Sequence, residues 1–443
     1  MSSGGDDRFP VLSQVGRAML AFLREHPSAP IFRNQSGHKL RAAEIAAVRA
    51  AEDEVLGARV AWSATPAWLP DFIARTWAEV PFFRRQGAPP ARLEDVAPTS
   101  RADLARDVAA FVPDGLPLDR LIQYATSGTT GHPLLVPSHP VVAASYLAFH
   151  KRALARFGIE LTAGAGHVGV VLLGFQKKCF TYVSVTPTMG ESGLVKLNLH
   201  PDDWRDPGDR ASYLEALAPE VISGDPISFA ELLALPARLA PRALLSTAMA
   251  LGPGLRSRLA AHYRCPVLDV YSMNEAGPIA VFDERAGGHV LLQPRLLVEI
   301  LGPGGARLPP GERGEIALTG GFNHYLPLVR YRTGDHAALD VAGGEPVLVE
   351  LAGRRPVRFR ATDGSWKNNV DVSHALGPHG AAQTTLHQAA DGSLHLFARG
   401  GNLGAMRGSL IALFGAGACI EVEELASDDK VLQYTSELPD AEP

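Results

Sequence analysis

The chain has 443 residues, 46% apolar and 20% charged, which is enough for genuine hydrophobic cores and more than one core usually holds. A net charge of −5, from 42 basic and 47 acidic residues, excludes the basic footprint of a nucleic-acid binder and a polybasic membrane patch. Cys179, Cys265 and Cys419 are too few and too scattered for a zinc site or a disulfide framework, and no leader-like or bilayer-length apolar run is present, so a soluble cytoplasmic protein is expected.

In chain order, residues 15–110 read as mostly helical. Ala42 to Leu56 has few breakers, and Asp71 to Phe83 carries an apolar face through Phe72, Ile73, Trp77 and Val80 that Pro81 ends or kinks. The most informative stretch follows: Tyr124-Ala125-Thr126-Ser127-Gly128-Thr129-Thr130-Gly131-His132-Pro133. It places four hydroxyl side chains and two glycines in a short loop. Such a loop can aim several N–H and O–H donors at one anion, because glycine permits close backbone approach and positive φ. That is equipment for a polyphosphate. It is not a Walker A loop, since no GxxxxGK[ST] match exists and position 132 is His.

Gly164 to Leu173 is β-branched and apolar, a buried strand, and Val267 to Tyr271 is another. Between them Tyr213 to Leu217 and Phe229 to Leu239 read as helices punctuated by Pro226 and Pro236, and Leu255 to His262 as a helix leading into the second strand. This alternation predicts an α/β sheet. From Val290 to Val349 the texture changes to short strands and Gly/Pro turns, a β-rich subdomain. A hinge at Gly353-Arg354 divides the chain into a large domain, residues 1–353, and a small α+β domain, residues 354–443.

Two acidic motifs complete the pattern. Tyr271-Ser272-Met273-Asn274-Glu275-Ala276-Gly277-Pro278 closes a strand and places a carboxylate at a turn, and Tyr331-Arg332-Thr333-Gly334-Asp335 does the same for an aspartate. In order and spacing, the loop, the two motifs and the Gly353-Arg354 hinge resemble the adenylate-forming (ANL) superfamily, with its SGTTG loop, YGxTE-type motif, YRTGD motif and GR hinge. Val80-Pro81-Phe82-Phe83-Arg84, the stretch Leu93 to Leu104, and Ser223-Gly224-Asp225-Pro226 resemble more narrowly its phenylacetate–CoA ligase branch.

The resemblance implies attack of a carboxylate on the α-phosphate of ATP, giving acyl-AMP and pyrophosphate, in a large domain closed by a small mobile lid. It implies that Thr126, Ser127, Gly128, Thr129, Thr130 and Gly131 hold the β- and γ-phosphates. Glu275, with Thr130, is expected to hold Mg²⁺, a hard cation suited to oxygen ligands and substrate phosphates. Asp335 is expected at the ribose hydroxyls, Tyr271 against the adenine, Asn274 among the nucleotide-binding residues, and Arg354 at a ribose or phosphate contact. Lys430 is the counterpart of the family's mobile catalytic lysine.

Some positions depart from the family pattern. Asn274 stands where threonine is usual, Ser272-Met273 replaces a glycine-led turn, and Arg355-Pro356 follows the hinge arginine. Acyl-pocket walls are expected from Gly174-Phe175, Ala248 to Ala250 and Ala276 to Pro278, whose small residues favour an aryl or branched acid over a long chain. The expected acceptor is the CoA thiol, a good nucleophile as thiolate. An amine or carrier-protein acceptor and a non-catalytic nucleotide-binding homologue are the alternatives. Neither nucleic acid nor membrane is expected as a partner, and a homodimer is left open.

Overall fold

The apolar β-branched runs of the sequence become buried strands. The computed structural model describes residues 6–60, 62–63, 65–125, 134–353, 357–426 and 432–438. The chain divides into two compact units, Met1–Ala42 with Leu154–Asp269 and Pro356–Pro443, and Ala43–Ala153 with Val270–Arg355. The class is α/β, with a smaller α+β domain at the C-terminal end.

In the first unit, Ser192–Asn198, Val168–Gly174, Val221–Gly224, Ala243–Ser246 and the start of Val267–Met273 form a parallel sheet, with Tyr182–Thr186 antiparallel at its end. Parallel strands covered by helices read as near-continuous apolar runs, and Val171, Val195, Leu197, Ile222 and Leu244 are accordingly fully buried. The first of these strands starts at Val168 rather than Gly164, because Gly166 turns the chain at φ +82°. Helix Gln14–Glu25 buries Met19, Leu20 and Leu23 against this core. The Ser223-Gly224-Asp225-Pro226 segment is a strand end joined to a helix cap. Asp225 accepts from the Ser228 N–H and hydroxyl, both at 2.8 Å, and Pro226 opens helix Pro226–Ala234. That helix stops short of Leu239, since the residue before Pro236 is driven out of helical geometry; Leu235 has ψ 139°.

The C-terminal part of this unit has its own core. Strands Ile420–Glu424, Leu394–Arg399, Gln383–Gln388 and Tyr434–Ser436 lie in that order in one sheet, with helices Asn369–Leu376 and Leu403–Phe414. Phe359, Leu386, Leu396, Met406, Leu410 and Phe414 fill the interior.

In the second unit the sheet is antiparallel, in the order Leu296–Leu301, Arg313–Gly320, Leu328–Ala342, Glu345–Ala352, Gly288–Leu291, Gly277–Asp283 and the end of Val267–Met273. The short strand Thr99–Ser100 adds parallel to Leu328–Ala342, pairing Thr99 with Tyr331 and Ser100 with Arg332. Helix Leu69–Glu79 and the single turn Pro81–Arg84 bring Ile73, Trp77, Val80 and Phe83 onto this core. Pro81 thus ends one helix and, as a residue with preset φ, starts the next.

Candidate active site

The first acidic motif is a tight β-hairpin. Met273 pairs with Gly277 across the turn formed by residues 274–276. Gly277 takes φ +68°, the left-handed value that lets a three-residue turn rejoin the ladder. A Cβ there would lie 2.5 Å from the Phe322 ring and 3.3 Å from the Tyr146 ring. Gln293, 2% exposed, donates to the carbonyls of Ala276 at 2.6 Å and Pro278 at 2.7 Å, clamping the turn from beneath. The Tyr146 hydroxyl donates to the Asn274 carbonyl at 3.2 Å. So held, Glu275 is buried, 4% exposed, while the Asn274 side chain faces solvent.

The second acidic motif does not close its strand. Leu328–Ala342 runs through it, and the pairing slips from Ala317↔Arg332 to Glu315↔His336, which makes Thr333-Gly334-Asp335 a bulge rather than a turn. Gly334 supplies the required φ of +81°. Glu315 secures the bulge, accepting from the Gly334 N–H at 3.0 Å and from Arg332 Nε at 2.6 Å. Thr333 donates to the Ile316 carbonyl at 3.0 Å and accepts from the Asp335 N–H at 3.0 Å. Bulges of this kind re-aim a side chain, and here the side chain is Asp335.

The motifs brace each other reciprocally. Both read Tyr-x-x-x-acid, and each tyrosine serves the acid of the other. The Tyr271 hydroxyl donates to Asp335 Oδ2 at 2.8 Å, and the Tyr331 hydroxyl donates to Glu275 Oε1 at 3.1 Å. Burial and the adjacent Asp335 carboxylate hold the Tyr271 phenol well above its usual pKa, so it remains a donor. Arg101 Nη1 lies 3.5 Å from the same Glu275 oxygen. A buried carboxylate needs such partners, because desolvating an unpaired charge is expensive. Gly353, at the expected hinge, lies beside Asp335; a Cβ on it would be 3.8 Å from Asp335 Oδ1.

Four of the expected site residues are therefore placed: Tyr271, Asn274, Glu275 and Asp335, all within the second unit. Thr126, Ser127, Gly128, Thr129, Thr130, Gly131, Arg354 and Lys430 lie outside the described residues. The flanks of the hydroxyl-rich loop are described: Ile122–Ala125 and Leu135–Ser138 pair antiparallel.

Residues 119–324 match the family of AMP-binding enzymes. That match spans a little under half of the chain. No curated protein matches the chain in sequence. Among solved structures it is similar to 2-hydroxyisobutyryl-CoA ligase in the postadenylation state with R3-HIB-AMP, at 18% identity and a TM-score of 0.60 over 89% of this chain and 90% of that one. It is also similar to an open conformation of the same enzyme with 2-HIB-AMP and CoA, at 17% identity and a TM-score of 0.53 over 86% and 91% of the two chains. Its fold is thus that of an adenylate-forming enzyme along nearly the whole chain.

Reading the sequence for adenylate-forming motifs overlooks Arg101 and Gln293 and gives Tyr331 no task. One signal was available for Arg101. Ser100-x-x-Asp103 is a capping-box spacing, and the structure has both of its bonds, which makes Arg101 the first residue of helix Arg101–Arg106. No local pattern announces Gln293.

Proposed function

We propose that this protein activates a carboxylic acid with ATP, forming acyl-AMP and pyrophosphate, and then transfers the acyl group to the thiol of CoA. The reciprocal Tyr271–Asp335 and Tyr331–Glu275 brace carries the reading, since it presets two carboxylates on one rigid sheet. Structural catalysis of phosphoryl-type displacement depends mainly on positioning and charge neutralisation, so fixed acids of this kind suit it. In this reading Asp335 accepts from the ribose hydroxyls, its carboxylate kept in place by the Tyr271 donor and the Thr333 contact to its backbone. Tyr271 lies beside the nucleotide base. Thr126 to Gly131 hold the phosphates, Arg354 contacts the nucleotide, and Lys430, in the small lid domain of residues 354–443, completes the catalytic set.

Glu275 fits a Mg²⁺ site. Among the described residues no group of three or more His, Cys, Asp or Glu side chains could hold a metal alone. A lone buried carboxylate fits an ion that takes its remaining oxygens from substrate phosphates and water, as Mg²⁺ does. Bound there, the ion would neutralise charge on the polyphosphate.

The Phe322 and Tyr146 rings pack so closely on Gly277 that a Cβ would lie 2.5 and 3.3 Å from them, and these compact aromatic surroundings support an aryl or short branched acid. The solved relative's 2-hydroxyisobutyryl group belongs to the short branched class. The likeness in the first half to the phenylacetate–CoA ligase branch supports aryl acids. The test is pyrophosphate release by the full chain with ATP and Mg²⁺ across aryl and short branched acids, with and without CoA. Acid-dependent release with a thioester formed only with CoA is expected. Release indifferent to CoA would reassign the acceptor to an amine or carrier, and silence with retained ATP binding would overturn the enzymatic reading.

A further inference from the structure

Arg101 stands opposite the carboxylate proposed to hold the metal, and it is placed there by backbone geometry. Thr99–Ser100 pairs with Tyr331 and Arg332, and Thr99 Oγ1 donates to the Val329 carbonyl at 2.9 Å. Ser100 then starts the helix through its reciprocal bonds with Asp103. The next residue, Arg101, is thereby delivered beside Tyr331, whose hydroxyl already contacts Glu275. Arg332, the neighbouring cation on the same strand, is turned instead to Glu315 at 2.5 Å. Arg101 is 26% exposed and Glu275 5% exposed by side chain, so the acid is enclosed while the guanidinium retains a route to solvent.

We propose that Arg101 is a resident counter-cation of Glu275, which leaves that carboxylate when a nucleotide polyphosphate binds and so releases it to a divalent ion. A planar, permanently charged guanidinium matches phosphate oxygens as well as it matches a carboxylate. Two cations at one buried carboxylate repel each other, so metal binding at Glu275 and its pairing with Arg101 compete. Nucleotide and metal binding are then coupled through the arginine: phosphate draws Arg101 away and the vacated carboxylate takes the ion. This rests on the metal role given to Glu275 above.

The sign of the effect separates this from a structural role. Terbium(III), a hard oxygen-seeking ion sensitised by nearby tyrosine rings, is titrated into the full chain without nucleotide, and Tyr331 adjoins the carboxylate. Arg101→Gln is expected to bind terbium about tenfold more tightly than wild type, because the competing charge is gone. The same variant is expected to bind ATP more weakly by calorimetry in chelator, because a phosphate partner is lost. Unchanged or weaker terbium binding in Arg101→Gln overturns the proposal, since general damage to the site can only loosen the ion. If Arg101→Gln fails to fold, Arg101→Lys, which keeps the charge but loses the planar fork, is expected to shift terbium affinity in the same direction by less, and no shift overturns the proposal. Glu275→Gln serves as the separate control. If it keeps the wild-type terbium signal, the metal role of Glu275 fails; if it loses the signal while Arg101→Gln changes nothing, only the coupling fails.

Discussion

At the scale of single residues, the site depends on two phenol hydroxyls. Tyr271 and Tyr331 each donate to a carboxylate, at 2.8 and 3.1 Å, and hydrogen bonds to charged acceptors are stronger than neutral ones. Tyr331→Phe leaves the buried Glu275 short of a donor and is expected to lower stability by about 1–3 kcal/mol, measured by denaturant unfolding. Tyr271→Phe acts at the half-buried Asp335, where water can substitute. It is expected to cost less stability and to show instead as weaker ATP binding by calorimetry. Equal stability losses for the two variants would contradict the difference in burial on which this rests. Both tyrosines lie inside motifs that are plain in the sequence, yet their hydroxyl partners are not, because each partner belongs to the other motif.

At the scale of elements, the hairpin and the bulge aim the acids. Gly334 at φ +81° lets the strand continue while Asp335 turns out of the ladder. Gly334→Ala forces an L side chain into left-handed geometry, at a cost of about 1–2 kcal/mol. The expected outcome is a lower melting temperature together with weaker ATP binding, because the same residue sets the direction of Asp335. A variant with full nucleotide affinity would show that the bulge does not position the aspartate. The elements themselves were largely legible. Alternating apolar strands and helices announced the α/β class, and glycine and proline marked most boundaries. The expected turn at Tyr331–Asp335 was wrong because Gly-Asp has the composition of a turn, and turns and bulges draw on the same positive-φ residues. Only the pairing to Glu315 and Ala317 decides between them.

For the whole molecule, stability in acid is tied to a buried carboxylate in the first unit. Burial raises the pKa of Glu220, but the N–H groups of Thr162 and Ala163, with Arg242 and the Thr162 hydroxyl, outweigh it and leave the group below its ordinary 4.5. The bonds from Thr162 N, Ala163 N and Arg242 are 2.8, 2.7 and 2.7 Å long. Because the folded-state pKa is depressed, this carboxylate stabilises the fold fully above pH 4.5 and gives up its contribution as pH falls through the lowered value. Glu220→Gln is therefore expected to melt earlier than wild type at neutral pH, with the difference shrinking as the solution is acidified from pH 4.5 through the lowered value. A difference that stays constant with pH would rule out the charge as its source.

Taken by itself, the sequence determined what local chemistry can decide. Glycines at Gly277 and Gly334, the cap at Asp225, the alternation of strands and helices, and the order of the motifs all follow from rules acting over a few residues. Tertiary structure decided which groups meet. Tyr331 reaches Glu275 across 56 positions, Tyr271 reaches Asp335 across 64, and Arg101 reaches Glu275 across 174. No periodicity or capping rule spans such distances. These partnerships exist because strand pairing and bulge placement in one folded sheet bring distant segments together, and because a buried carboxylate is stable only where donors and a cation converge on it.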